Sequence, residues 1–226
     1  NEINKIIIGA IIVIANIAWL LPARESLRET VSQSEAEAAR SGGMAIENFL
    51  ENKVASLHLA TMLLSSDLGN PRNRSVLDQV VKQGAFTKII LANARGEEII
   101  HIDKFDVVLQ SELGSVLGLR EFGETLTGKK PVFGSVRISE TFEPTITIAV
   151  PVSFTEGNVA GVLIGEFNLK SIFAVISEVT VGGRGFAYLV DGTGLLISHP
   201  DQSLVLKNPY YTARAIVSRT IQEKHI

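Results

Sequence analysis

The sequence predicts an α+β fold, and three patterns support this prediction. A long stretch with helical periodicity comes first, five segments with strand periodicity follow, and a short helix interrupts them after the second segment. Because short turns join most of these segments, neighbouring strands are expected to pair in antiparallel fashion. The order of elements therefore indicates an antiparallel five-stranded sheet with helices on one side.

An apolar run near the start of the chain predicts a transmembrane helix. Residues Ile6–Leu21 (IIIGAIIVIANIAWLL) include one polar side chain, that of Asn16. Lys5 and Trp19 lie at its two ends, where basic and aromatic residues commonly meet a membrane interface. A cleaved signal peptide with Lys5 as its charged region is the alternative. Both interpretations place the rest of the chain outside the cytoplasm.

A long helix is predicted from residue 24 to about residue 66. This stretch contains no proline, and apolar residues such as Ala45, Phe49 and Leu57 recur near helical spacing. A helix of about 40 residues would be about 60 Å long. Such a helix suits a stalk or the spine of a parallel homodimer, and it is equally compatible with a helix packed along a domain.

Strand patterns begin after a polar turn at residues 67–74 and a short predicted helix at 75–83. The segment FTKIILANARGEEIIHID predicts two strands joined by a turn at Ala94–Gly96. REFGETLTG predicts a short helix that ends at Gly128. PVFGSVRIS, TITIAVPVSF and VAGVLIGEFNL then predict three strands, the last two joined by a hairpin turn at Glu156–Asn158.

A second module is indicated by a repeated pattern. After a helical segment, LKSIFAVISEV, the sequence GRGFAYLVDGTGLLISHP repeats the strand-turn-strand pattern of the first module. The sequence ends before such a copy would be complete, so we expect a piece of a longer protein.

Composition and motifs argue against catalysis and against nucleic-acid binding. The formal net charge is -3, so no strongly basic face is expected. The absence of cysteine excludes a disulfide framework, a thiolate metal site and a cysteine nucleophile. The histidines are isolated, so a zinc site is not expected, and GGRG and DGTG adjoin strand pairs as turns rather than opening a helix at a dinucleotide site. We expect no cofactor and no enzymatic activity.

The stretch TITIAVPV…GNVAGVLIGEFNLKSIFAVISEVTVGGRGFAYLVDGTGLLISHPDQSLVL resembles the double Cache family of extracytoplasmic sensors. The resemblance extends from about Arg24 to the end. It implies a membrane-distal PAS-like module, a smaller membrane-proximal one, a second span and a cytoplasmic output domain. Family outputs are histidine kinases, chemoreceptors, nucleotide cyclases and phosphatases, and this sequence looks most like the kinase or cyclase forms. The implied division is a transmembrane segment (1–23), a long stalk helix (24–66), a membrane-distal module (67–170), and a linking helix with an incomplete membrane-proximal module (171–226).

The resemblance also implies a ligand pocket in the membrane-distal module. Glu166, in the sequence GEF, matches the position of an acidic residue that holds the ligand amine in amino-acid-binding members. The Arg-x-Trp-Tyr motif that holds the ligand carboxylate in those members corresponds to residues 119–122. Here the Trp-Tyr pair is absent and the arginine is displaced by one, which leaves Arg120 and Phe122 as candidates.

Strand alternation adds further candidate pocket residues. Phe133, Ser135 and Arg137 share one face of their predicted strand, Thr147 lies on a neighbouring strand, and Asp103 follows the second strand, where a lid loop begins. Arg137 is a candidate clamp for a carboxylate or a solvated arginine of the strand face. Glu166 is either a group that binds the ligand or the partner of Arg137 in an ion pair within the sheet.

The predicted function is therefore an extracytoplasmic small-ligand sensor domain of a receptor in the bacterial cell membrane. An organic acid, an amine or an amino-acid-like molecule is the expected ligand, and a ligand-induced change would pass through the long helix of a homodimer. A secreted or membrane-tethered ligand-binding protein without its own output domain is the alternative, and a hydrolytic enzyme is a third possibility.

Overall fold

The computed structural model describes residues 33, 36–139, 143–177, 187–190, 196–199 and 201. The helices are α1 (residues 36–63), α2 (Pro71–Lys82), α3 (Arg120–Gly128) and α4 (Lys170–Ser177). The strands are β1 (Lys88–Asn93), β2 (Glu98–Asp103), β3 (Val132–Phe133), β4 (Arg137–Ile138), β5 (Pro144–Val152), β6 (Gly161–Asn168), β7 (Leu189–Val190) and β8 (Leu196–Ser198). The apolar run Ile6–Leu21 lies outside these residues, and none of the described helices is both long enough and apolar enough to cross a membrane.

An antiparallel sheet forms the centre of the described structure, as the sequence predicts. Its strand order is β2-β1-β6-β5-β3, and β4 also pairs with β5. Since β3 and β4 follow one another along β5, they are two pieces of one broken strand in the fifth position. The predicted α+β fold with a five-stranded sheet is confirmed at this level.

The break between β3 and β4 changes which side chains face the same way. Phe133 pairs with Ile148, whereas Arg137 pairs with Thr145, so the register shifts by one residue between them. Such a shift exchanges the two faces of a strand. The prediction that Phe133, Ser135 and Arg137 share a face is therefore wrong: Phe133 packs toward α1, Arg137 lies on the opposite face, and Ser135 is exposed.

Helices cover both faces of the sheet rather than one. The larger core lies between the sheet and α1 and α2, and the smaller core joins the opposite face to α3 through Phe122 and Leu126. The two central strands explain this difference, because β5 and β6 are buried at nearly every position and carry apolar residues on both faces. The expectation of helices on a single side is therefore corrected.

The second half of α1 packs along the domain. Leu57 is fully buried in the larger core, and Phe49 contacts Phe167 of β6 with ring centroids 5.9 Å apart. Lys53 lies beside the same rings, donates a hydrogen bond of 2.6 Å to the Ala85 carbonyl, and has a pKa lowered by burial. This face of the sheet therefore holds the long helix in place.

The turn between α1 and α2 is shorter than the sequence suggests. The prediction gave a polar turn through residue 74, but α2 begins at Pro71. The Asn70 side chain accepts a hydrogen bond from the backbone nitrogen of Arg72, at 3.0 Å. Proline is favourable at the first helical position, because the backbone N–H that it lacks would have no acceptor within the helix. The Asn-Pro pair is thus a helix start.

The second strand pair lies after α4. β7 and β8 pair in antiparallel fashion, which confirms the two predicted strands, while the turn between them lies outside the described residues. Ile172 of α4 and Ile197 of β8 are buried in the larger core. The second strand pair therefore packs directly against the larger core.

Candidate functional site

A cavity of about 170 Å³ lies on the sheet face that α3 covers. Six residues on four neighbouring strands and the residue before α3 supply its walls. The lining residues are Lys88, Ile90, Leu119, Arg137, Thr147, Ile164 and Glu166. The site therefore combines an apolar floor with side chains of both charges.

Strand register explains why these residues meet. Glu166 of β6 lies directly opposite Lys88 of β1 on one side and opposite Thr147 of β5 on the other. Ile90 and Ile164 form the next row on the same face, two residues along. Side chains at such cross-strand positions are close enough to contact the same small molecule. Alternation along three strands is thus what places two charges and a hydroxyl in one row.

A buried carboxylate of α3 lies behind two of the lining residues, Thr147 and Arg137. The Glu121 side chain, in the first turn of α3, is 1% exposed. Its Oε1 accepts a hydrogen bond of 2.6 Å from the Thr147 hydroxyl, and Nη2 of Arg137 lies 3.5 Å from the same oxygen. A negative charge in the first helical turn is also favourable toward the helix dipole. Arg137 is therefore the counterion of a buried group.

The opposite end of the cavity carries a different arrangement. Nζ of Lys88 lies 3.5 Å from Oδ2 of Asp103, the last residue of β2. Within the part of the chain that the structure describes, the Glu166 carboxylate has neither an ion pair nor a hydrogen bond, although its backbone carbonyl accepts from Thr87. The ion pair between Glu166 and Arg137, considered from the sequence, is replaced by the one between Arg137 and Glu121.

The structure separates the predicted site residues into two groups. Arg137, Thr147 and Glu166 line the cavity together, and Asp103 contacts its rim through Lys88. Arg120, Phe122, Phe133 and Ser135 do not line the cavity.

Arg120 is exposed and does not line the cavity: its Nη1 lies 2.8 Å from Oε2 of Glu124, and its Nη2 donates to the Phe133 carbonyl at 2.9 Å. Phe122 is buried in the smaller core. Phe133 lies on the α1 face, where it lines a separate groove beside α1, and Ser135 is exposed.

Several residues in and around the cavity were not predicted from the sequence. Lys88 and Ile90 alternate with buried residues along β1, so their spacing carried a usable signal, but only the register with β6 brings them beside Glu166. Glu121 gave no signal of its own, because a glutamate in a short helix is usually solvated. Its burial depends on contact between α3 and β5.

The polar atoms of the site are carboxylate and hydroxyl oxygens and the nitrogens of Lys88 and Arg137, and they do not form a metal-binding cluster. Across the described residues, no three His, Asp or Glu side chains lie close enough together to hold a metal ion. The arrangement instead suits a small organic molecule, since a cavity with an apolar floor and a few polar groups fixes such a ligand's orientation.

Known proteins share both the sequence pattern and the fold. The Cache domain family model (dCache_1) matches residues 23–224. The methyl-accepting chemotaxis protein McpA of Pseudomonas putida is 23% identical over 211 residues, which are 91% of this chain and 32% of that protein. PscA of Pseudomonas syringae, also a methyl-accepting chemotaxis protein, is 40% identical over 63 residues, or 28% of this chain and 10% of that protein. The chain thus spans at most about a third of these relatives, which are chemoreceptors rather than kinases or cyclases.

Solved structures agree with this match. The ligand-binding domain of the Pseudomonas aeruginosa chemoreceptor PctC, in complex with GABA, has a TM-score of 0.57 at 22% identity and covers 74% of each chain. That of the Pseudomonas fluorescens chemoreceptor CtaA, in complex with L-isoleucine, has a TM-score of 0.58 at 20% identity, with 81% of this chain and 74% of that one covered. The likeness in fold and the family match over residues 23–224 together show that this chain belongs to the Cache domain family.

Proposed function

We propose that this chain is the small-ligand sensor of a chemoreceptor-type receptor, placed on the extracytoplasmic side of a bacterial cell membrane. The observation that carries the proposal is the cavity at the start of α3, where Arg137, Thr147 and Glu166 meet over an apolar floor. Family membership and the fold of chemoreceptor ligand-binding domains support it. The proposed role is binding rather than catalysis.

The size of the cavity favours a small ligand. At about 170 Å³ it lies below the roughly 300–1,000 Å³ of pockets for drug-sized molecules. The related domains PctC and CtaA were solved with GABA and with single amino acids. We therefore propose a ligand of similar size that carries a charged group and a short apolar part.

The proposed route of the signal crosses one strand. Glu166 lines the cavity, and its neighbour Phe167 points to the other face, where it packs on Phe49 of α1. A ligand shifts the position of α1 only if it binds the two arrangements with different affinity. We propose that α1 carries this shift toward the membrane in a homodimer. In support, α1 has exposed apolar side chains: Met44, Leu59, Met62 and Leu63.

Thermal unfolding of the full chain with amino acids, amines and small carboxylates tests the proposal. A molecule that binds only the folded state adds about 2.7 kcal/mol of stability at a concentration 100 times its Kd. We expect at least one of these classes to raise the Tm of the wild type, and we expect Glu166→Gln to abolish the rise. Glu156→Gln, in the exposed β5–β6 hairpin turn, is the matched control and should respond like the wild type. An equal response from Glu166→Gln and the wild type would place the ligand elsewhere.

A further inference from the structure

The charges around the cavity form pairs, and one carboxylate is left over. Arg137 lies 3.5 Å from Glu121, and Lys88 lies 3.5 Å from Asp103. Glu166 also lines the cavity, and its carboxylate has no ion-pair partner among the described residues. These two cations and three carboxylates leave one net negative charge, which belongs to Glu166.

Arg137 already has a carboxylate partner, which makes it a poor group for holding a ligand carboxylate. Its partner Glu121 is 1% exposed, and a carboxylate buried to this degree requires a compensating positive charge. A ligand carboxylate at Arg137 would compete for that guanidinium and would bring a second negative charge close to the buried one. Both effects oppose the binding of an anionic group at this end of the cavity.

The other nearby arginine is engaged as well. Arg120 is exposed, with Nη1 2.8 Å from Oε2 of Glu124 and Nη2 2.9 Å from the Phe133 carbonyl. It does not line the cavity. The side chains that line the cavity therefore offer no guanidinium without a carboxylate partner.

We infer that the cavity takes a small organic cation, an alkylamine without a carboxylate, held by Glu166. This inference rests on the proposed function and narrows its ligand class. The ammonium group would donate to the Glu166 carboxylate. Because the Thr147 hydroxyl donates its hydrogen to Glu121, its oxygen can act toward the ligand only as an acceptor, which also suits an ammonium group. The alkyl part would contact Ile90 and Ile164 on the floor.

Isothermal titration calorimetry of the full chain with matched compounds tests the inference. Ethylamine, L-alanine and propionate form one set, and propylamine, GABA and butyrate form a second. Within each set the amino acid differs from the amine only by a carboxylate, and from the acid only by an amine. We expect each amine to bind about tenfold more tightly than its amino acid, the scale of one unfavourable charge contact, and the acids to give no heat of binding.

Two variants locate the effect. Glu166→Gln should weaken amine binding by about tenfold or more, as expected when a charge-assisted hydrogen bond becomes a neutral one. Glu121→Gln keeps an acceptor for the Thr147 hydroxyl and releases Arg137, so it should narrow or reverse the preference for the amine over the amino acid. Urea unfolding of each variant verifies that it is folded, and the wild-type comparison does not depend on either variant.

The outcomes separate this inference from the proposed function. If the amino acid of a set binds more tightly than its amine, and Glu166→Gln abolishes that binding, the sensor function stands and the amine inference is overturned. If no compound of either set binds the wild type, and the broader thermal screen also finds none, the proposed function fails and the inference fails with it. Tight amine binding that Glu166→Gln leaves unchanged also overturns the inference.

Discussion

Gly134 lies against the hydrogen bond between Thr147 and Glu121, beside the cavity. A Cβ added there would lie 2.1 Å from Oγ1 of Thr147 and 2.8 Å from Oε1 of Glu121. These are the two atoms of the hydrogen bond that holds the buried carboxylate. A side chain at this position would therefore push apart the groups that also fix Arg137.

We predict that Gly134→Ala lowers the free energy of unfolding by about 1–3 kcal/mol, the usual cost of forcing extra atoms into a packed region. Gly123→Ala is the matched control, because no atom lies within 4 Å of its added Cβ and the residue is inside α3. Replacing glycine by alanine in an exposed helix should stabilise the chain by up to about 1 kcal/mol. Urea unfolding of the full chain measures both, and changes of the same sign would contradict the assigned role of Gly134.

At the residue scale, the sequence was enough to predict several polar residues of the cavity, but not the residues that they contact. Glu166, Thr147 and Arg137 are visible on strands with regular alternation, and the structure brings them together. The partner of Arg137 was not predictable, because the contact with Glu121 joins residues of two different elements whose packing the sequence does not specify. Phe133 was misplaced since one extra residue in a strand reverses its faces.

At the scale of elements, the connection between α1 and α2 depends on one buried side chain. Asn73 is fully buried, and its Oδ1 accepts a 2.7 Å hydrogen bond from the backbone nitrogen of Ser65. Its Nδ2 donates to the carbonyls of Asp67, at 2.9 Å, and Leu68, at 3.2 Å. The amide thus satisfies the backbone of a turn that no regular secondary structure supports.

We predict that Asn73→Ala destabilises the chain by about 2–4 kcal/mol, because the amide is fully buried and three backbone groups of a half-buried turn lose their partner at once. Asn48→Ala, at an exposed position of α1, should change the stability by less than about 0.5 kcal/mol. Chemical denaturation measures both variants. A near-neutral result for Asn73→Ala would mean that water replaces the amide without cost.

Some elements of the fold are determined by local sequence, and others are not. The β1–β2 and β5–β6 pairs were predictable, because alternation and short turns specify them: Gly96 and Gly157 adopt left-handed backbone angles in those turns. The end of α3 was also found near Gly128, although Lys129 rather than a glycine takes the left-handed position after it. The face that α3 covers was not predictable, since its short apolar stripe fits either side of a sheet that is apolar on both.

At the scale of the whole molecule, β6 separates two tasks. Leu163 and Phe167 point to the core beneath α1, whereas Ile164 and Glu166 point to the cavity. Stability and ligand contact therefore alternate residue by residue along one strand. Neighbouring substitutions should consequently have different effects on the protein.

We predict that Phe167→Leu and Glu166→Gln act in opposite ways in thermal unfolding of the full chain. Phe167→Leu removes the ring that packs on Phe49 and Phe86, and it should cost about 1–2 kcal/mol while leaving the stabilisation by a cavity-bound amine or amino acid in place. Glu166→Gln should keep or slightly raise the stability of the free protein, because it neutralises a carboxylate that has no ion-pair partner among the described residues, and it should lose the ligand-dependent rise in Tm. Each variant is the control for the other. If Phe167→Leu also loses the ligand response when stability is matched, the two faces of β6 are coupled in binding itself, and the cavity depends on the position of α1.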